Sequence, residues 1–209
     1  MDQSNYTITD PNAIEAESFR IISHELGHLG LPEELAAIVK RVIHTTADFE
    51  YGRIIEIHPE AVAAARKALL EGCDIYCDTR MIEAGVNKRR LKELNCTIYT
   101  YIDHEEVIAK SKELKLTRSI LGIDKAAENE RTKIFVIGNA PTALVRIGEL
   151  IDEGKLNPVL VIGVPVGFVG AAESKEFIKA RAVPTIVTNG RKGGSTVAVS
   201  ILNALLYMK

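Results

Sequence analysis

The pattern HELGH, which runs from His24 to His28, has the spacing of a helical zinc site in which two histidines hold the metal and the glutamate activates water. A helix would have little length behind this pattern, because Gly27 weakens a helix interior and Gly30 with Pro32 stops it. We therefore interpret the match as chance and predict no metal site. A zinc hydrolase built on these two histidines is kept as a secondary alternative.

His44 closes an apolar stretch with helical spacing, and polar residues including Thr45, Thr46 and Asp48 follow it. Imidazole can donate and accept a proton near neutral pH, and a protonated histidine is stabilised by the carboxyl end of a helix. The residues alone leave two interpretations open. His44 is either a proton donor and acceptor in catalysis or a structural histidine at a helix end.

Four segments rich in Gly, Pro, Asn and Thr each follow an apolar run of strand length; we call them the rim loops, 78–81, 138–142, 163–170 and 189–195. Parallel sheets bind ligands beyond the carboxyl ends of their strands, and such loops can offer backbone N–H groups to an anion. Glycine in any one of them could serve only a tight turn, but four together predict a ligand site. None matches the GxGxxG dinucleotide fingerprint or the GK[ST] ending of a phosphate loop.

Composition narrows the class of protein. The 209 residues carry 26 Lys and Arg against 28 Asp and Glu, so the net charge of −2 gives no reason to expect a nucleic-acid partner. Aromatic residues make up only 5%, which favours the aliphatic core of a buried parallel sheet. The three cysteines are too few for a disulfide framework, and no apolar run reaches the roughly 18 residues of a membrane span. We predict a cytoplasmic protein that binds neither nucleic acid nor membrane.

Strand-length runs alternate with segments of helical spacing, which predicts a three-layer α/β/α fold with a mainly parallel five-stranded sheet, Rossmann-like but without a dinucleotide fingerprint. The predicted strands are 73–77, 97–101, 133–138, 159–164 and 185–188. The predicted helices are 13–28, 33–45, 59–71, 104–114, 142–153, 174–180 and 195–207, with a helical crossover in 110–131. No linker or repeat interrupts the chain, so residues 1–209 are predicted to form a single domain.

Two long motifs are unlike common phosphate loops: Asn-Ala-Pro-Thr-Ala-Leu at 139–144 and Pro-Val-Gly-Phe-Val-Gly at 165–170. Further motifs are 6–11 with Ser18 and Phe19, 41–48, Cys77-Asp78 with Met81 and Gly85, 117–119, 174–176, and Gly190-Arg191 with 193–195. With these motifs the chain resembles, nearly end to end, the precorrin-8X methylmutase family. That family contains the isomerases of corrin-ring assembly in vitamin B12 biosynthesis.

The resemblance implies a cofactor-free migration of a methyl group from C11 to C12 of precorrin-8X or cobalt-precorrin-8, giving hydrogenobyrinate or its cobalt form, cobyrinate. It implies that His44 is the catalytic proton donor and acceptor, because protonating the conjugated ring makes it a better electron sink. It also implies a homodimer with its sites near the subunit interface. A non-catalytic tetrapyrrole carrier that uses the same loops is the alternative from another class of protein.

The substrate that the resemblance implies is a large, flat, apolar ring fringed by carboxylates. We expect Arg118 to make a charge-assisted contact with one carboxylate, although an arginine there could also be a surface helix cap. Ser18 and Thr45 are expected as polar contacts near His44. The rim loops are expected to bind further carboxylates, in part through backbone N–H groups, at Asn139, Thr142, Gly167, Gly193, Gly194 and Ser195.

Overall fold

The computed structural model describes residues 8–27 and 30–208. Tyr6, at the start of the first resemblance motif, and His28, the second histidine of the HELGH pattern, therefore lie outside the described residues. The described chain forms a six-stranded sheet with helices on both of its faces.

The strands are β1 (Ile55–Ile57), β2 (Asp74–Cys77), β3 (Thr97–Tyr99), β4 (Thr132–Ile137), β5 (Leu160–Gly163) and β6 (Thr185–Thr188). Their order across the sheet is β1-β6-β5-β4-β2-β3. Strands β2 to β6 run parallel to one another, and β1 pairs antiparallel with β6 at one side of the sheet. The predicted class, α/β with a mainly parallel sheet, is confirmed.

The predicted number of five strands is wrong by one, because β1 at the edge of the sheet is not predicted. This strand has three residues, with Ile55 and Ile57 half-buried and Glu56 exposed. It follows directly on the helical turn at Tyr51–Ile54. Three residues are too few to show the period that separates a strand from a helix end.

The described residues form eleven helices. They are α1 (Pro11–Leu26), α2 (Glu33–Thr46), α3 (Tyr51–Ile54), α4 (Ala61–Glu71), α5 (Arg80–Gly85), α6 (Lys88–Glu93), α7 (Glu105–Leu114), α8 (Arg118–Ala127), α9 (Pro141–Asp152), α10 (Ala171–Lys179) and α11 (Ser195–Tyr207). All seven predicted helices are present: α11 has the predicted bounds, and the other six have at least one shifted end. Helix α8 lies in the predicted crossover, and α3, α5 and α6 are not predicted.

Local chemistry explains both ends of α1. The Asp10 carboxylate accepts the Ala13 N–H at 2.8 Å, and Pro11 occupies the first turn, where its missing N–H costs nothing. The helix ends at Leu26 rather than at Gly30, because Gly27 adopts a φ of 63° and caps it. The helix therefore stops before the second half of the HELGH pattern.

Each face of the sheet buries its own apolar core. Side chains alternate along the strands, so Ile75 and Ile134 face a core under α1, α2, α4, α5, α6 and α11. Tyr76 and Phe135 face the opposite core under α8, α9 and α10. With both faces covered, the strands have to be apolar throughout, and polar chemistry is confined to the ends of the strands.

The packing of α2 on α11 sets the position of His44. Asp48, just beyond α2, forms an ion pair with Lys192, just before α11. The carboxyl end of α2 therefore lies at the same edge of the sheet as the loop after β6. That edge is where the parallel strands end.

The cysteines and the helices bear on the predicted environment of the protein. Cys73, Cys77 and Cys96 are buried free thiols. None of the helices in the described part of the chain is both long and apolar enough to span a membrane.

Candidate active site

The rim loops meet at the carboxyl edge of the parallel strands. The hydroxyls of Thr79, after β2, and Ser195, after β6, are 3.0 Å apart. The Gly194 N–H donates to the Val164 carbonyl, after β5, at 2.8 Å. Loops that lie far apart in the sequence are thus joined into one surface.

A buried carboxylate holds the loop after β4. Asp78 is 1% exposed, and its oxygens accept the backbone N–H groups of Gly138 at 3.0 Å, Asn139 at 2.9 Å and Ala140 at 2.7 Å. Burial raises the pKa of Asp78, while the three N–H donors favour the anion and oppose that rise. This role of Asp78 is not predicted from the sequence. The pattern that could indicate it is an acidic residue directly after an apolar strand.

Glycine is required where the loop after β6 crosses the strand ends. Gly193 and Gly194 have φ values of 157° and 127°. A Cβ on Gly193 would lie 2.1 Å from the Val164 carbonyl oxygen, and one on Gly138 would lie 2.8 Å from the Ser195 Cα. The backbone of this loop therefore packs directly on the ends of β4 and β5.

Three of the expected carboxylate-binding N–H groups are already used within the protein. The Asn139 N–H donates to Asp78 at 2.9 Å, the Gly167 N–H donates to the Arg191 carbonyl at 3.1 Å, and the Gly194 N–H donates to Val164. These two glycines join loops, which corrects the expectation that their N–H groups face a ligand. By contrast, α11 begins at Ser195 without a side-chain cap, so its first-turn N–H groups are open to an anion.

His44 is exposed in the last turn of α2 and stacks on Phe19 of α1, with ring centroids 5.2 Å apart and an interplanar angle of 16°. The Arg41 guanidinium lies 5.2 Å from the centroid of the same Phe19 ring and pairs with Glu15 at 3.1 Å. The stack fixes the plane of the imidazole from one side. The exposed side remains accessible to a ligand.

Ser18 and Thr45 lie beside this stack in the sequence, but their hydroxyls bond to their own helices. Ser18 Oγ donates to the Ile14 carbonyl at 2.8 Å, and Thr45 Oγ1 donates to the Arg41 carbonyl at 2.9 Å. In the described part of the chain, neither hydroxyl forms a hydrogen bond with the His44 imidazole. Each oxygen keeps an acceptor position for a ligand group.

Arg118 lies on the other side of the strand ends, in a cleft of about 540 Å³. The lining residues are Asp78, Thr79, Arg80, Ile102, Ser111, Thr117, Arg118, Ser119 and Asn139. The Thr117 side chain caps α8 and lies 3.1 Å from the Thr142 hydroxyl. Arg118 is the exposed first residue of α8, so its positive charge and the amino end of the helix favour an anion at the same place.

Two lysines that the sequence analysis did not single out hold the loop after β6. Lys192 pairs with Asp48 and, at 2.8 Å, with Glu50. Lys175 is fully buried, and its Nζ donates to the carbonyls of Gly190 at 2.9 Å and Lys192 at 2.8 Å. The missed signal for Lys175 is a lysine at a core-facing position of an amphipathic helix.

The alternative of a metal site finds no support in residues 8–27 and 30–208, where no three His, Cys, Asp or Glu residues are grouped to hold a metal ion. His24 is exposed at the end of α1. Its partner in the pattern, His28, lies outside the described residues.

The fold and the rim loops define an α/β protein whose strand-to-helix loops gather at the carboxyl ends of a mainly parallel sheet, the place where such folds bind ligands. Residues 13–208 match the sequence profile of the precorrin-8X methylmutase family. The cobalt-precorrin-8 methylmutase of Leptospira interrogans is 47% identical, over 93% of this chain and 92% of its own. The enzyme of that name from Salmonella typhimurium is 44% identical over 96% of each chain.

The comparison with solved structures agrees. The crystal structure of precorrin-8X methyl mutase from Thermus thermophilus superposes with a TM-score of 0.87 at 42% identity, covering 93% of this chain and 94% of that one. The chain belongs to the precorrin-8X methylmutase family. The resemblance seen in the sequence motifs is thereby confirmed, and with it the class of enzyme, an isomerase that moves a methyl group within one molecule.

Two glycines of the loop after β6 form a matched pair of sites for substitution. A Cβ on Gly190, at a φ of 76°, would meet nothing within 4 Å, whereas one on Gly193 would meet a carbonyl oxygen. We expect Gly190→Ala to lower the free energy of unfolding by about 1–2 kcal/mol through backbone strain alone. Gly193→Ala should cost about 3 kcal/mol or more, because the strand end must also move. Urea unfolding measures both, and equal losses would contradict the close packing of this loop.

Proposed function

We propose that this protein moves a methyl group from C11 to C12 of precorrin-8X or cobalt-precorrin-8, giving hydrogenobyrinate or cobyrinate. The observation that carries the proposal is the whole-chain similarity to enzymes named for these two compounds, at 47% and 44% identity for the cobalt form and 42% for the metal-free form. The exposed histidine, Arg118 and the uncapped start of α11 at the carboxyl ends of the strands supply the groups that such a reaction needs.

His44 is the residue to which we assign proton transfer. Its imidazolium donates a proton to the ring-C region of the macrocycle, and the C11–methyl bond breaks as the C12–methyl bond forms. The imidazole then recovers the proton, so no cofactor and no second reactant is consumed. The geometry supports the role, because the imidazole stacks on Phe19 with one face and is exposed to a ligand on its other side.

The carboxylate fringe of the substrate suits the two sides of the rim. His44 and Arg118 belong to helices on opposite faces of the sheet, and a flat macrocycle laid over the strand ends would reach both. Arg118 and the first turn of α11 would bind carboxylates. The other contacts that we propose, besides Ser18 and Thr45 beside His44, are Asn139, Thr142, Gly193 and Ser195.

Incubation of the purified protein with precorrin-8X and with cobalt-precorrin-8 tests the proposal directly. The visible spectrum should change to that of the product with at least one of them. No change with either substrate would overturn the proposal. Binding of corrinoid without any turnover would favour a tetrapyrrole carrier instead.

The chain is proposed to act as a single domain in the cytoplasm, since the described strands join one sheet and the three cysteines are free thiols.

We also propose a homodimer with its sites near the interface. Phe168 and Val169 of the loop after β5 are 85% and 89% exposed, an apolar surface beside the rim that a second subunit or the macrocycle would cover. Analytical ultracentrifugation should give the mass of two chains. A single-chain mass at micromolar concentration would contradict this arrangement.

We expect His44→Ala to fold and to bind the corrinoid product within a few-fold of wild type, while kcat falls by about 10²–10⁴-fold. The matched control is His58→Ala. His58 is also exposed, but it lies at the amino ends of the parallel strands. Its backbone N–H donates to the carbonyl of Thr185, at the start of β6. The control should keep wild-type kinetics; retained turnover in His44→Ala would remove His44 from the mechanism.

Arg118→Gln should weaken binding of substrate and product by about tenfold to a hundredfold, because a charge-assisted hydrogen bond contributes roughly 1.5–3 kcal/mol. The loss should appear in KM and in the product Kd more than in kcat. Arg131→Gln serves as the control, since Arg131 lies at the opposite edge of the sheet beside Asp74. Similar constants for the two variants would show that Arg118 is only a surface residue.

A further inference from the structure

We infer that Lys175 is a positioning residue of this site: its buried ammonium group fixes the loop after β6 and, through that loop, the segment behind His44. The inference rests on the proposed function, because it assigns a role within the methyl-shift site. Lys175 is fully buried and binds this loop from inside the protein, so it would act on the substrate only through the loop.

The surroundings of Lys175 set it apart from the other lysines. Its side chain is fully buried on α10, and no carboxylate within residues 8–27 and 30–208 forms an ion pair with it. Both of its contacts are backbone carbonyls, those of Gly190 and Lys192. Burial lowers the pKa of Lys175 to about 8. A methionine would fill similar space without the cost of desolvating a charge, so packing alone does not account for this lysine.

The loop that Lys175 binds needs such external support. Gly190, Gly193 and Gly194 all have positive φ values, and glycine has the highest conformational entropy of any residue. The Lys192 carbonyl accepts a second hydrogen bond, from Thr188 Oγ1 at 2.7 Å. Three donated bonds from Lys175 and Thr188 therefore hold the middle of the loop in one conformation.

The same loop is tied to the helix that bears His44. The Lys192 carbonyl accepts a hydrogen bond from Lys175. The Lys192 side chain forms ion pairs with Asp48 and Glu50, beyond the end of α2. Tyr51 is buried beside this junction. A shift of the loop would thus be passed both to the start of α11, where carboxylates would bind, and to the end of α2.

The test compares Lys175→Met, which removes the donors, with Lys175→Gln, which keeps an amide donor. Ile178→Ala is the control, because Ile178 is equally buried on α10, in the apolar core with Val183 and Val187, and carries no hydrogen-bond donor. We expect Lys175→Met to lower kcat/KM by about tenfold to a hundredfold, as small displacements of catalytic groups do. Lys175→Gln should recover part of that loss. Ile178→Ala, assayed below its unfolding temperature, should keep kcat and KM within about twofold of wild type.

Amide hydrogen exchange of residues 189–195 in the substrate-free proteins provides a readout that is independent of catalysis. Exchange should be faster in Lys175→Met than in wild type and in Ile178→Ala. If Lys175→Met does not fold, Lys175→Gln carries the same comparison. The wild-type protein could show no methylmutase activity while the loop still exchanges faster in Lys175→Met. That result would overturn the proposed function but support the role of Lys175 in holding the loop.

Two outcomes would overturn the inference itself. One is a Lys175 variant with wild-type kinetics and unchanged exchange of the loop. The other is an equal kinetic loss in Ile178→Ala, which would show that stability of α10, rather than the two hydrogen bonds, matters.

Discussion

The Asp78 carboxylate accepts three consecutive backbone N–H groups beneath the loop after β4, and the geometry of the rim depends on this buried anion. Gly138 and Ala140 carry no polar side chain, so the acceptor for the N–H groups of this loop comes from outside it. Asp78 supplies that support from the end of β2. The next residue, Thr79, extends the connection to Ser195 and so to the last loop.

Lys175 does for the loop after β6 what Asp78 does for the loop after β4, with the opposite charge and the opposite backbone group. Asp78 accepts from N–H groups, and Lys175 donates to carbonyls. In both cases a buried charge is compensated by backbone dipoles. The open surface above them can then be made of backbone and small residues. The carboxylate-binding surface that we propose therefore needs no excess of positive charge, in agreement with the net charge of −2.

Much of the fold could be predicted from the sequence, because apolar strands and amphipathic helices carry clear periods and α1 has Asp10 and Pro11 at its start. The edge strand β1 and the short helices α5 and α6 could not, since three to six residues show no period. The rim loops were correctly placed at the carboxyl ends of the strands from their composition. The partners of Gly167 and Gly194, and the tasks of Asp78 and Lys175, depend on contacts between residues distant in the sequence. Such contacts leave no local pattern.

The two outermost strands of the sheet, β1 and β3, have only three residues each. A strand that short exposes few unpaired N–H and C=O groups, and β1 also reverses the strand direction at its edge. A second chain therefore has almost no ladder on which to extend the sheet. The loops and the helix faces are therefore better suited than the sheet edges for contacts between copies of this protein, and the edge strands offer little template for strand-to-strand aggregation.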